Sequence, residues 1–419
     1  MRKDSISLVV FGATGDLMAR KILPALFFLY KKNKLPENFR LIGVSRRELS
    51  EESFRAHARE ALSRFDAIKK DKKLESFLKL FSFVRGFFDE PYTYEDLKRM
   101  IGPHSKTFFY LSVTPQFFAP ILKNLDKSGA ISPRSHIFVE KPIGLNLKSA
   151  RSIEKLLARY FDRQQIYRVD HYLAKDGLQD LFNFRFKKKS LESVWSGKYI
   201  SKMEIRLWEH KDVGYRGEFY DGVGALRDVG QNHLLEMLAL LIMNKPKSMN
   251  GIDIQKERAQ ALECLKKENL KDIQRLSFRA QYHGYRGHKG VSNTSKTETF
   301  FRITAYLWKG SFQSVPIIIE AGKAMPENRK EMVIYFKDGK RLVFPVEEHK
   351  VVYQYVEEYM KIFEGAFKGD ASMFAGSEEV LASWRFIDPI IDAFRKNKVK
   401  LNYYNPHIYP KIGKKYEPR

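Results

Sequence analysis

The chain is predicted to combine a doubly wound α/β domain with a larger β+α domain whose sheet is mainly antiparallel. Strands and helices alternate over residues 5–167, which is the pattern of a parallel sheet covered by helices. After Lys189 the pattern changes to strands with alternating polar and apolar residues. We therefore predict one domain over residues 1–170 and a second over residues 171–419.

The composition restricts the class of protein. The chain has 419 residues, of which 43% are hydrophobic and 30% are charged, as in globular proteins of roughly two or three domains. No window approaches the roughly 18 uncharged apolar residues of a membrane span. The single cysteine, Cys264, excludes an intrachain disulfide framework and a cysteine-rich metal site. Residues 1–5 lack the apolar segment of a signal peptide, so we expect a cytoplasmic protein.

The net charge of +25 admits two interpretations. A strongly basic chain can bind nucleic acid, or it can handle small anions that carry several phosphate charges. The basic residues are spread along the whole sequence, without zinc-finger spacing, a glycine-rich RNA motif or a basic arm. We therefore expect nucleic-acid binding to be secondary or incidental.

The first predicted strand, residues 5–11, is apolar and β-branched, which is typical of a buried parallel strand. It ends in the glycine turn Gly12-Ala13-Thr14-Gly15-Asp16-Leu17, and a helix follows. This is the context of a Rossmann-type dinucleotide site, in which glycine lets the backbone approach a pyrophosphate at the helix N-terminus. The spacing is G-x-x-G, with Thr14 where a second glycine is usual. Because any tight β–α turn favours glycine, the turn alone fits either a dinucleotide site or an ordinary connection.

The second predicted strand, residues 39–44, ends in Ser45-Arg46-Arg47. NAD-specific folds usually carry an acidic residue here to bind the ribose 2′-hydroxyl, whereas an arginine accommodates a 2′-phosphate. The Arg46 guanidinium can bind that phosphate through two parallel hydrogen bonds. We interpret this as a preference for NADP over NAD, although an ordinary surface arginine gives the same pattern.

Further strands are predicted over residues 107–113 and 136–139, and residues 51–99 are predicted to be largely helical. The strand over residues 136–139 is followed by Glu140-Lys141-Pro142. Polar residues at the carboxyl ends of parallel strands line the crevice in which ligands bind. Lys141 is therefore a candidate ligand contact.

Residues 166–175 combine the end of a strand with the start of a helix. A helix start offers free backbone N–H groups and the positive end of a dipole, which favour an anion. The side chains of His171, Tyr172 and Lys175 would add three donors, a combination that suits a phosphate. Asp170, one residue earlier, can orient a catalytic histidine. The same residues also fit a surface turn that is capped by Asp170.

A glycine-bearing loop over residues 214–222 precedes a strong helix that is predicted over residues 225–243. Asp228 and His233 lie near the start of this helix. A histidine within a helix is more often structural than catalytic, so the helix alone leaves the role of His233 open. Later strands are predicted near residues 275–282, 299–307, 315–320, 331–336 and 341–346, and helices over residues 353–367 and 378–396. The tail over residues 403–419 is expected to be ordered only where it docks.

Six segments together resemble the glucose-6-phosphate dehydrogenase family, in the order in which that family carries them. They are Gly12-Ala13-Thr14-Gly15-Asp16-Leu17, Glu140-Lys141-Pro142-Ile143-Gly144, Arg168-Val169-Asp170-His171-Tyr172-Leu173-Ala174-Lys175, Arg227-Asp228-Val229-Gly230-Gln231-Asn232-His233, Gly322-Lys323-Ala324 and Trp384-Arg385-Phe386-Ile387-Asp388-Pro389. The third and fourth segments are highly specific, and together they favour a catalytic interpretation over the structural ones above. The resemblance covers residues 8–394 and is weakest over residues 51–99 and 249–289.

The resemblance implies a Rossmann-type domain followed by a β+α domain whose sheet forms the dimer interface, in a homodimer or homotetramer. It implies oxidation of D-glucose 6-phosphate at C1 to 6-phospho-D-glucono-1,5-lactone, with NADP+ as the hydride acceptor and NAD as a weaker alternative. This reaction opens the oxidative pentose phosphate pathway. No metal is required, because the cofactor accepts the hydride and the protein supplies position and a base.

The resemblance also implies a role for each matching residue. His233 would be the general base that removes the C1 hydroxyl proton, and Asp170 would orient its imidazole. The 6-phosphate would be bound by His171, Tyr172 and Lys175. The sugar hydroxyls or the phosphate region would be contacted by Lys141, Glu209, Asp228 and Lys323. The cofactor would be bound by Gly12, Thr14, Gly15, Asp16, Leu17, Lys21, Arg46, Tyr110 and Lys141.

Several residues depart from the family's pattern. Glu218 lies where the family usually has glycine, and Gly177 and Asp180 differ from the common residues of the phosphate-binding helix. An apparent extra residue after Lys323 leaves Arg329 without an assigned role. The C-terminal tail lacks the usual family ending, so the dimer contacts can differ.

Two rival functions remain open at this point. The first is an NADP-linked dehydrogenase of another sugar phosphate on the same scaffold. The second is a catalytically inert relic that binds anions or nucleic acid, with steeply salt-dependent affinity. The presence of Asp170, His171, Lys175 and His233 counts against both rivals.

Overall fold

A computed structural model describes residues 5–103, 105–187, 193–347 and 354–416 of the chain, and these residues form two seven-stranded sheets with helices packed around them. The strands are β1 (Ile6–Phe11), β2 (Phe39–Ser45), β3 (Phe81–Arg85), β4 (Lys106–Leu111), β5 (Ser135–Glu140), β6 (Ile166–Val169), β7 (Ile200–Trp208), β8 (Ser277–Tyr282), β9 (Phe300–Ala305), β10 (Ile317–Gly322), β11 (Arg329–Phe336), β12 (Arg341–Pro345), β13 (Phe374–Ala375) and β14 (Leu401–Tyr404).

The helices surround these sheets and fall into three types. The α-helices are α1 (Leu23–Lys31), α2 (Glu51–Ser63), α3 (Asp66–Lys69), α4 (Leu74–Leu78), α5 (Tyr92–Ile101), α6 (Phe118–Lys127), α7 (Leu147–Tyr160), α8 (Asp176–Lys187), α9 (Gly217–Tyr220), α10 (Leu235–Ile242), α11 (Gly251–Glu263), α12 (Leu270–Leu276), α13 (Gln354–Lys368) and α14 (Ser377–Arg395). Two π-helices span Met18–Ile22 and Leu226–Leu234. Short 3₁₀ turns cover Pro115–Phe117, Arg163–Gln165, His171–Ala174, Gly214–Arg216, Tyr285–Gly287 and Lys414–Tyr416.

The first sheet confirms the predicted doubly wound domain. Strands β1 to β6 are parallel and lie in the order β6-β5-β4-β1-β2-β3, so the direction of winding reverses between β1 and β4. Alternate residues of β1 face opposite layers, because Leu8 and Val10 belong to one apolar cluster and Val9 and Phe11 to the other. The carboxyl ends of β1 and β4 therefore flank the crevice in which such sheets bind ligands.

The second sheet confirms the predicted mainly antiparallel domain. Its order is β12-β11-β7-β10-β9-β8-β14. Four neighbouring pairs are antiparallel, and the pairs β7–β10 and β8–β14 are parallel. The predicted tail begins in β14, where the Tyr404 side chain is buried, and residues 417–419 lie outside the described residues.

A late segment of the chain returns to the first sheet. Helix α13 covers the face that carries Phe138, and the rings of Phe138 and Phe363 lie 5.7 Å apart. Strand β13 then pairs antiparallel with β6, where Phe374 lies 4.5 Å from Tyr167 between ring centroids. The helix predicted over residues 353–367 is present as α13, and residue 353 lies outside the described residues. The domain boundary at residue 170 remains a prediction. Helix α13 and strand β13 lie after that boundary in the sequence but belong with the first sheet.

Two local predictions differ from the structure. Residues 51–99, predicted as largely helical, also contain strand β3, which pairs with β2 at the sheet edge and buries Phe81 and Val84. This strand is short, and its apolar residues also fit a helix face, so sequence periodicity does not distinguish the two. The helix predicted over residues 225–243 begins as a π-helix and becomes α-helical only at Leu235. Among the described residues, no helix is both long and apolar enough to cross a membrane.

Candidate active site

The glycine turn after β1 forms a tight cradle at the crevice. Gly12 has a φ of +84°, and a Cβ atom there would lie 2.4 Å from the carbonyl oxygen of Ser112. The amide of Gly15 donates to the carbonyl of Gly12 at 2.9 Å, and Thr14 Oγ1 lies 3.0 Å from Ser45 Oγ. The turn therefore presents bare backbone beside the ends of β2 and β4, which is the space that a dinucleotide phosphate requires.

The side chains around this cradle are largely exposed and polar. Asp16 pairs with Arg20 at 2.6 Å, and both side chains are exposed. The ammonium group of Lys21 lies 5.2 Å from the centre of the Tyr359 ring, while Leu17 is half-buried. Arg46 is exposed at the end of β2, and within the described ranges no acidic side chain pairs with it. These residues fit the cofactor side chains that the sequence predicts, with a guanidinium available for a 2′-phosphate.

Tyr110 is fully buried, unlike the exposed cofactor residues around the glycine turn. Its side chain is fully buried on the face of the first sheet that α13 covers, and its hydroxyl donates to the Glu140 carboxylate. The hydroxyl of Tyr359 donates to the same oxygen at 2.6 Å. Burial raises the pKa of Glu140 and raises that of Tyr110 well above its ordinary value. The structure therefore places Tyr110 in a buried hydrogen-bond network rather than in the crevice.

A carboxylate at the end of the first sheet meets an imidazole from a helical segment that packs on the second sheet. Asp170 follows β6 and caps the next turn by accepting from the Tyr172 amide at 2.9 Å. Its Oδ1 atom also lies 2.8 Å from Nδ1 of His233, and Nζ of Lys141 lies 3.4 Å from its Oδ2. Burial would raise the pKa of Asp170, but His233 and Lys141 outweigh it and hold that pKa well below its usual range. Asp170 therefore stays ionised and holds the histidine from the Nδ1 side.

The π-helix Leu226–Leu234 presents His233 to this carboxylate. The side chain of Asn232 donates to the carbonyl of Asp228 at 3.0 Å and accepts from the His233 amide at 2.6 Å. These bonds compete with the regular helical pattern, as short polar side chains can do. π-Helical turns are frequent at functional sites, since they direct a side chain away from the regular helix face.

His171 and Tyr172 enclose the imidazole of His233. The ring of Tyr172 stacks on it with centroids 3.9 Å apart, and His171 meets it edge-on at 4.8 Å. Burial, together with the neighbouring His233 and Lys21, lowers the pKa of His171 well below its ordinary value. His171 is therefore neutral and can donate one hydrogen bond to an anion.

Lys175 lies beyond Tyr172, and two carboxylates engage it. Its side chain is 2% exposed, and its Nζ atom lies 4.8 Å from the centre of the Tyr172 ring. Nζ donates to Glu347 at 2.8 Å and to Glu358 at 2.5 Å. Burial raises the pKa of Glu358 to about 7 in spite of Lys175. Neither glutamate was a candidate from the sequence, because both lie far from residue 175 in the chain.

Glu209, Asp228 and Lys323 form a third polar group of predicted residues. Lys323 forms an ion pair with Glu209, and its Nζ lies 3.9 Å from Oδ2 of Asp228. The hydroxyl of Tyr404 donates to the Lys323 carbonyl at 2.6 Å and so fixes this turn. Two carboxylates and an ammonium at a partly exposed position suit the hydroxyl groups of a sugar. Glu218, which lies where the family usually has glycine, is exposed on α9 and lies against Gly290.

A buried carboxylate that sequence reasoning missed lies beside Lys141. Glu236 is fully buried in α10, which is otherwise apolar, and forms an ion pair with Lys141. Burial and the nearby carboxylate of Glu379 favour a raised pKa for Glu236, whereas the Lys141 ammonium opposes that rise and favours the ionised form. Lys141 thus lies between Glu236 and Asp170 and is 4% exposed. A single glutamate within an apolar helical run was the signal that could have identified it.

Asp170, His171 and His233 are also the described residues whose ligand atoms come together closely enough to hold a metal ion, within 4.8 Å of one another. In this structure Oδ1 of Asp170 is bonded to His233, and Oδ2 faces Lys141. We interpret the group as a carboxylate–imidazole pair, and the absence of a metal requirement remains a prediction.

Both halves of the chain match known proteins. Residues 9–180 match the family model described as "Glucose-6-phosphate dehydrogenase, NAD binding domain", and residues 182–356 match "Glucose-6-phosphate dehydrogenase, C-terminal domain". Glucose-6-phosphate 1-dehydrogenase of Helicobacter pylori (strain J99) is 34% identical over 417 residues, which cover 96% of each chain.

Two solved structures of this family have the same overall architecture. Glucose-6-phosphate 1-dehydrogenase of Mycobacterium avium matches with a TM-score of 0.86 and 28% identity, covering 96% of this chain and 94% of that one. A glucose-6-phosphate dehydrogenase in complex with its substrate glucose-6-phosphate matches with a TM-score of 0.89 and 26% identity, covering 98% of this chain and 96% of that one.

Proposed function

Since this chain belongs to the glucose-6-phosphate dehydrogenase family, we propose that it oxidises D-glucose 6-phosphate at C1 to 6-phospho-D-glucono-1,5-lactone, with NADP+ as the hydride acceptor. The observation that carries the proposal is the Asp170–His233 pair, which is separated from Lys175 by the ring of Tyr172. A base and an anion-binding group at this separation match the two ends of a hexose 6-phosphate. The reaction is the first step of the oxidative pentose phosphate pathway.

The proton of the C1 hydroxyl is taken by Nε2 of His233. Because Nδ1 of His233 is bonded to Asp170, Nε2 is the nitrogen left to accept a proton. The buried carboxylate of Asp170 then stabilises the imidazolium that forms, and it holds the ring in one orientation. The stacked ring of Tyr172 restricts the imidazole further. Lys141, whose Nζ lies 3.4 Å from Oδ2 of Asp170, helps to keep that carboxylate ionised.

The substrate is oriented by two groups of side chains on either side of the base. His171, Tyr172 and Lys175 bind the 6-phosphate through a neutral imidazole, a phenol and an ammonium group. The sugar hydroxyls contact Glu209, Asp228 and Lys323. Contacts at both ends of the sugar hold C1 against His233. Less entropy is therefore lost when the bound substrate reaches the transition state.

The cofactor is bound at the glycine turn. Gly12 and Gly15 give its pyrophosphate access to backbone, with Thr14, Asp16, Leu17 and Lys21 around it, and Arg46 pairs with the 2′-phosphate. When bound, the nicotinamide accepts the hydride that leaves C1. The exposed Arg46, where NAD-specific folds usually carry an acidic residue, supports NADP as the preferred cofactor and NAD as a weaker one.

Three further properties are part of the proposal. The second sheet, which carries a polar face with Lys202, Arg206 and Glu331, would pair two copies of the chain in a homodimer or homotetramer. A cytoplasmic location is expected from the single cysteine. Nucleic-acid binding would be incidental, because the net charge of +25 is distributed along the chain.

The test is the initial rate of NADP+ and NAD+ reduction with glucose 6-phosphate and with unphosphorylated glucose. For His233→Asn we expect kcat to fall by about 10²-fold to 10⁴-fold while substrate binding is retained, because a general base contributes about that much. His283→Asn, at an exposed histidine of the same domain whose ring packs on Tyr403, is the control and should leave kcat unchanged. Turnover that does not depend on His233 would contradict the mechanism. Absence of turnover in a protein that binds NADP+ would favour another sugar phosphate or an inert relic.

A further inference from the structure

Lys175 has an inner and an outer carboxylate partner. Glu358, the inner one, is 4% exposed, while Glu347, the outer one, is 21% exposed. Lys175 itself is 2% exposed. A buried ammonium group that loses all its partners is strongly destabilised, so Lys175 needs at least one anion beside it at all times. Of these two carboxylates, Glu347 is the one that solvent and a ligand can reach.

Glu347 connects Lys175 to a second ammonium group. Its Oε1 atom lies 2.8 Å from Nζ of Lys175 and 2.9 Å from Nζ of Lys330, and its Oε2 atom lies 3.0 Å from the latter. Lys330 is 18% exposed. Burial would raise the pKa of Glu347, but Lys175 and Lys330 outweigh it and lower that pKa, so the carboxylate is ionised. One ionised carboxylate thus bridges two ammonium groups, which is the arrangement that a phosphate would adopt with the same groups.

The alternation of β11 selects Lys330 over its neighbour for this position. Arg329 faces the opposite side of the second sheet, where its guanidinium lies 4.9 Å from the centre of the Trp208 ring and pairs with Glu327. Successive residues of a strand point to opposite faces, so Lys330 is directed to the side on which Lys175 lies. Arg329, which the sequence leaves without an assigned role, is therefore not the basic residue beside the phosphate-binding turn.

A glycine brings Glu347 within reach of Lys175. A Cβ atom at Gly177 would lie 2.0 Å from the carbonyl oxygen of Pro345, so the start of α8 and the end of β12 are in direct backbone contact. The amide of Val346 donates to the Lys330 carbonyl at 2.9 Å and fixes the same segment. Gly177 departs from the family's pattern, and this contact gives the departure a structural reason.

We propose that Glu347 is an internal substitute for the substrate's 6-phosphate, which displaces this carboxylate and takes its place between Lys175 and Lys330. The inference rests on the proposed function and adds Lys330 as a phosphate ligand and Glu347 as a specificity residue. The exchange of one anion for another keeps both ammonium groups paired throughout, whereas Glu358 stays in place and holds Lys175 in position. Unphosphorylated glucose carries no anion that can displace Glu347, so this contact selects for sugar phosphates.

Glu347→Gln tests the competition directly. The amide keeps the size of the side chain but binds the two ammonium groups less strongly, so the KM for glucose 6-phosphate should fall by about threefold to tenfold. kcat and the KM for glucose should stay the same. Asp338→Asn is the matched control, because it removes one carboxylate that pairs with Lys340 in the turn between β11 and β12, and it should change nothing. An unchanged or higher KM in Glu347→Gln would overturn the proposal.

Lys330→Met provides a second, independent test. The KM for glucose 6-phosphate should rise by about tenfold or more, with the KM for glucose unchanged, because one charge-assisted bond to phosphate is lost. An equal rise for both substrates, or no rise, would overturn the assignment of Lys330.

Binding of inorganic phosphate, measured by calorimetry on the whole protein, separates this inference from the proposed activity. If Glu347→Gln tightens phosphate binding by about threefold to tenfold and Lys330→Met weakens it, the exchange is supported even in a protein that turns over no glucose 6-phosphate. If turnover is normal but neither variant changes phosphate binding, the proposed function stands and the exchange is wrong.

Discussion

Nδ1 of His233 lies 2.8 Å from Oδ1 of Asp170, although 63 positions of sequence separate the two residues. Asp170 follows the last parallel strand of the first sheet, and His233 lies in a π-helix that packs on the second sheet. Neither residue has the partner it needs within its own segment. This arrangement therefore depends on how the helical segment on the second sheet is positioned against the end of β6.

Replacing Asp170 by asparagine tests what this contact contributes. Because an amide group is not an anion, Asp170→Asn removes the charge that stabilises the imidazolium and can reverse which nitrogen carries the proton. We expect kcat to fall by about 10³-fold to 10⁴-fold with glucose 6-phosphate binding retained. Asp176→Asn, at an exposed residue of the next helix, is the control. A loss of less than about tenfold in steady-state kinetics would contradict the role of Asp170.

Cofactor preference should depend on Arg46. We expect Arg46→Ser to raise the KM for NADP+ by about tenfold to 100-fold, because the variant loses charge-assisted hydrogen bonds to the 2′-phosphate. The KM for NAD+ should change little, since NAD+ lacks this phosphate. Arg64→Ser, at the exposed end of α2, serves as the control in the same assay. Equal effects on the two cofactors would show that Arg46 does not bind the 2′-phosphate.

The buried ion pair between Lys141 and Glu236 should affect stability strongly. Glu236→Leu keeps an apolar helix but leaves the Lys141 ammonium with Asp170, 3.4 Å away, as its nearest anion. We expect the free energy of unfolding in urea to fall by about 3 kcal/mol. The double variant with Lys141→Met should recover part of this loss, because it removes the buried charge as well. Additive losses in the double variant would indicate that the two residues act independently.

The stability of the protein between pH 4 and 7 should respond to His136. Burial, with a contribution from Lys106, lowers the pKa of this imidazole from 6.5 to about 4. As pH falls from 6.5 to 4, the unfolded chain binds a proton that the folded protein does not, so stability that is present above pH 6.5 is lost.

His136→Phe measures this contribution. The imidazole packs against both Phe108 and Tyr167, with ring centroids 5.0 Å and 5.6 Å away, and phenylalanine keeps these contacts without a titrating group. Because His136 is partly exposed, we expect the wild type to lose about 1–2 kcal/mol more than the variant when urea unfolding is repeated from pH 7 down to pH 4. Parallel losses in the two proteins would exclude His136 as the source.

Local sequence patterns predict the parts of the candidate site that are continuous in the chain. The glycine turn, the Asp170–Lys175 segment and the second sheet follow from local patterns, because each is encoded by neighbouring residues. The contacts of Lys175 with Glu347 and Glu358 join segments that are distant in the sequence, so no local pattern predicts them. The π-helix depends on how the Asn232 side chain bonds to the backbone, which residue spacing does not reveal.

Strand direction explains another limit. Tyr110 lies at the carboxyl end of β4, where ligand contacts are expected, yet it faces the layer that α13 covers. The sequence indicates a strand over these residues but not what covers each face, because the covering helix comes from the far end of the chain. Lys330 and Arg329 show the same limit, because a shift of one position along β11 decides which of the two side chains faces Lys175.

The return of α13 and β13 to the first sheet has a consequence for synthesis on the ribosome. When the nucleotide-binding half emerges, the sheet face with Phe138 and Tyr167 is still without its helix, and β6 is an open edge. That half stays incomplete until residues 354–375 have left the exit tunnel. A nascent chain that stalls earlier would expose an aromatic surface, which makes it a client for chaperones and a target for proteases.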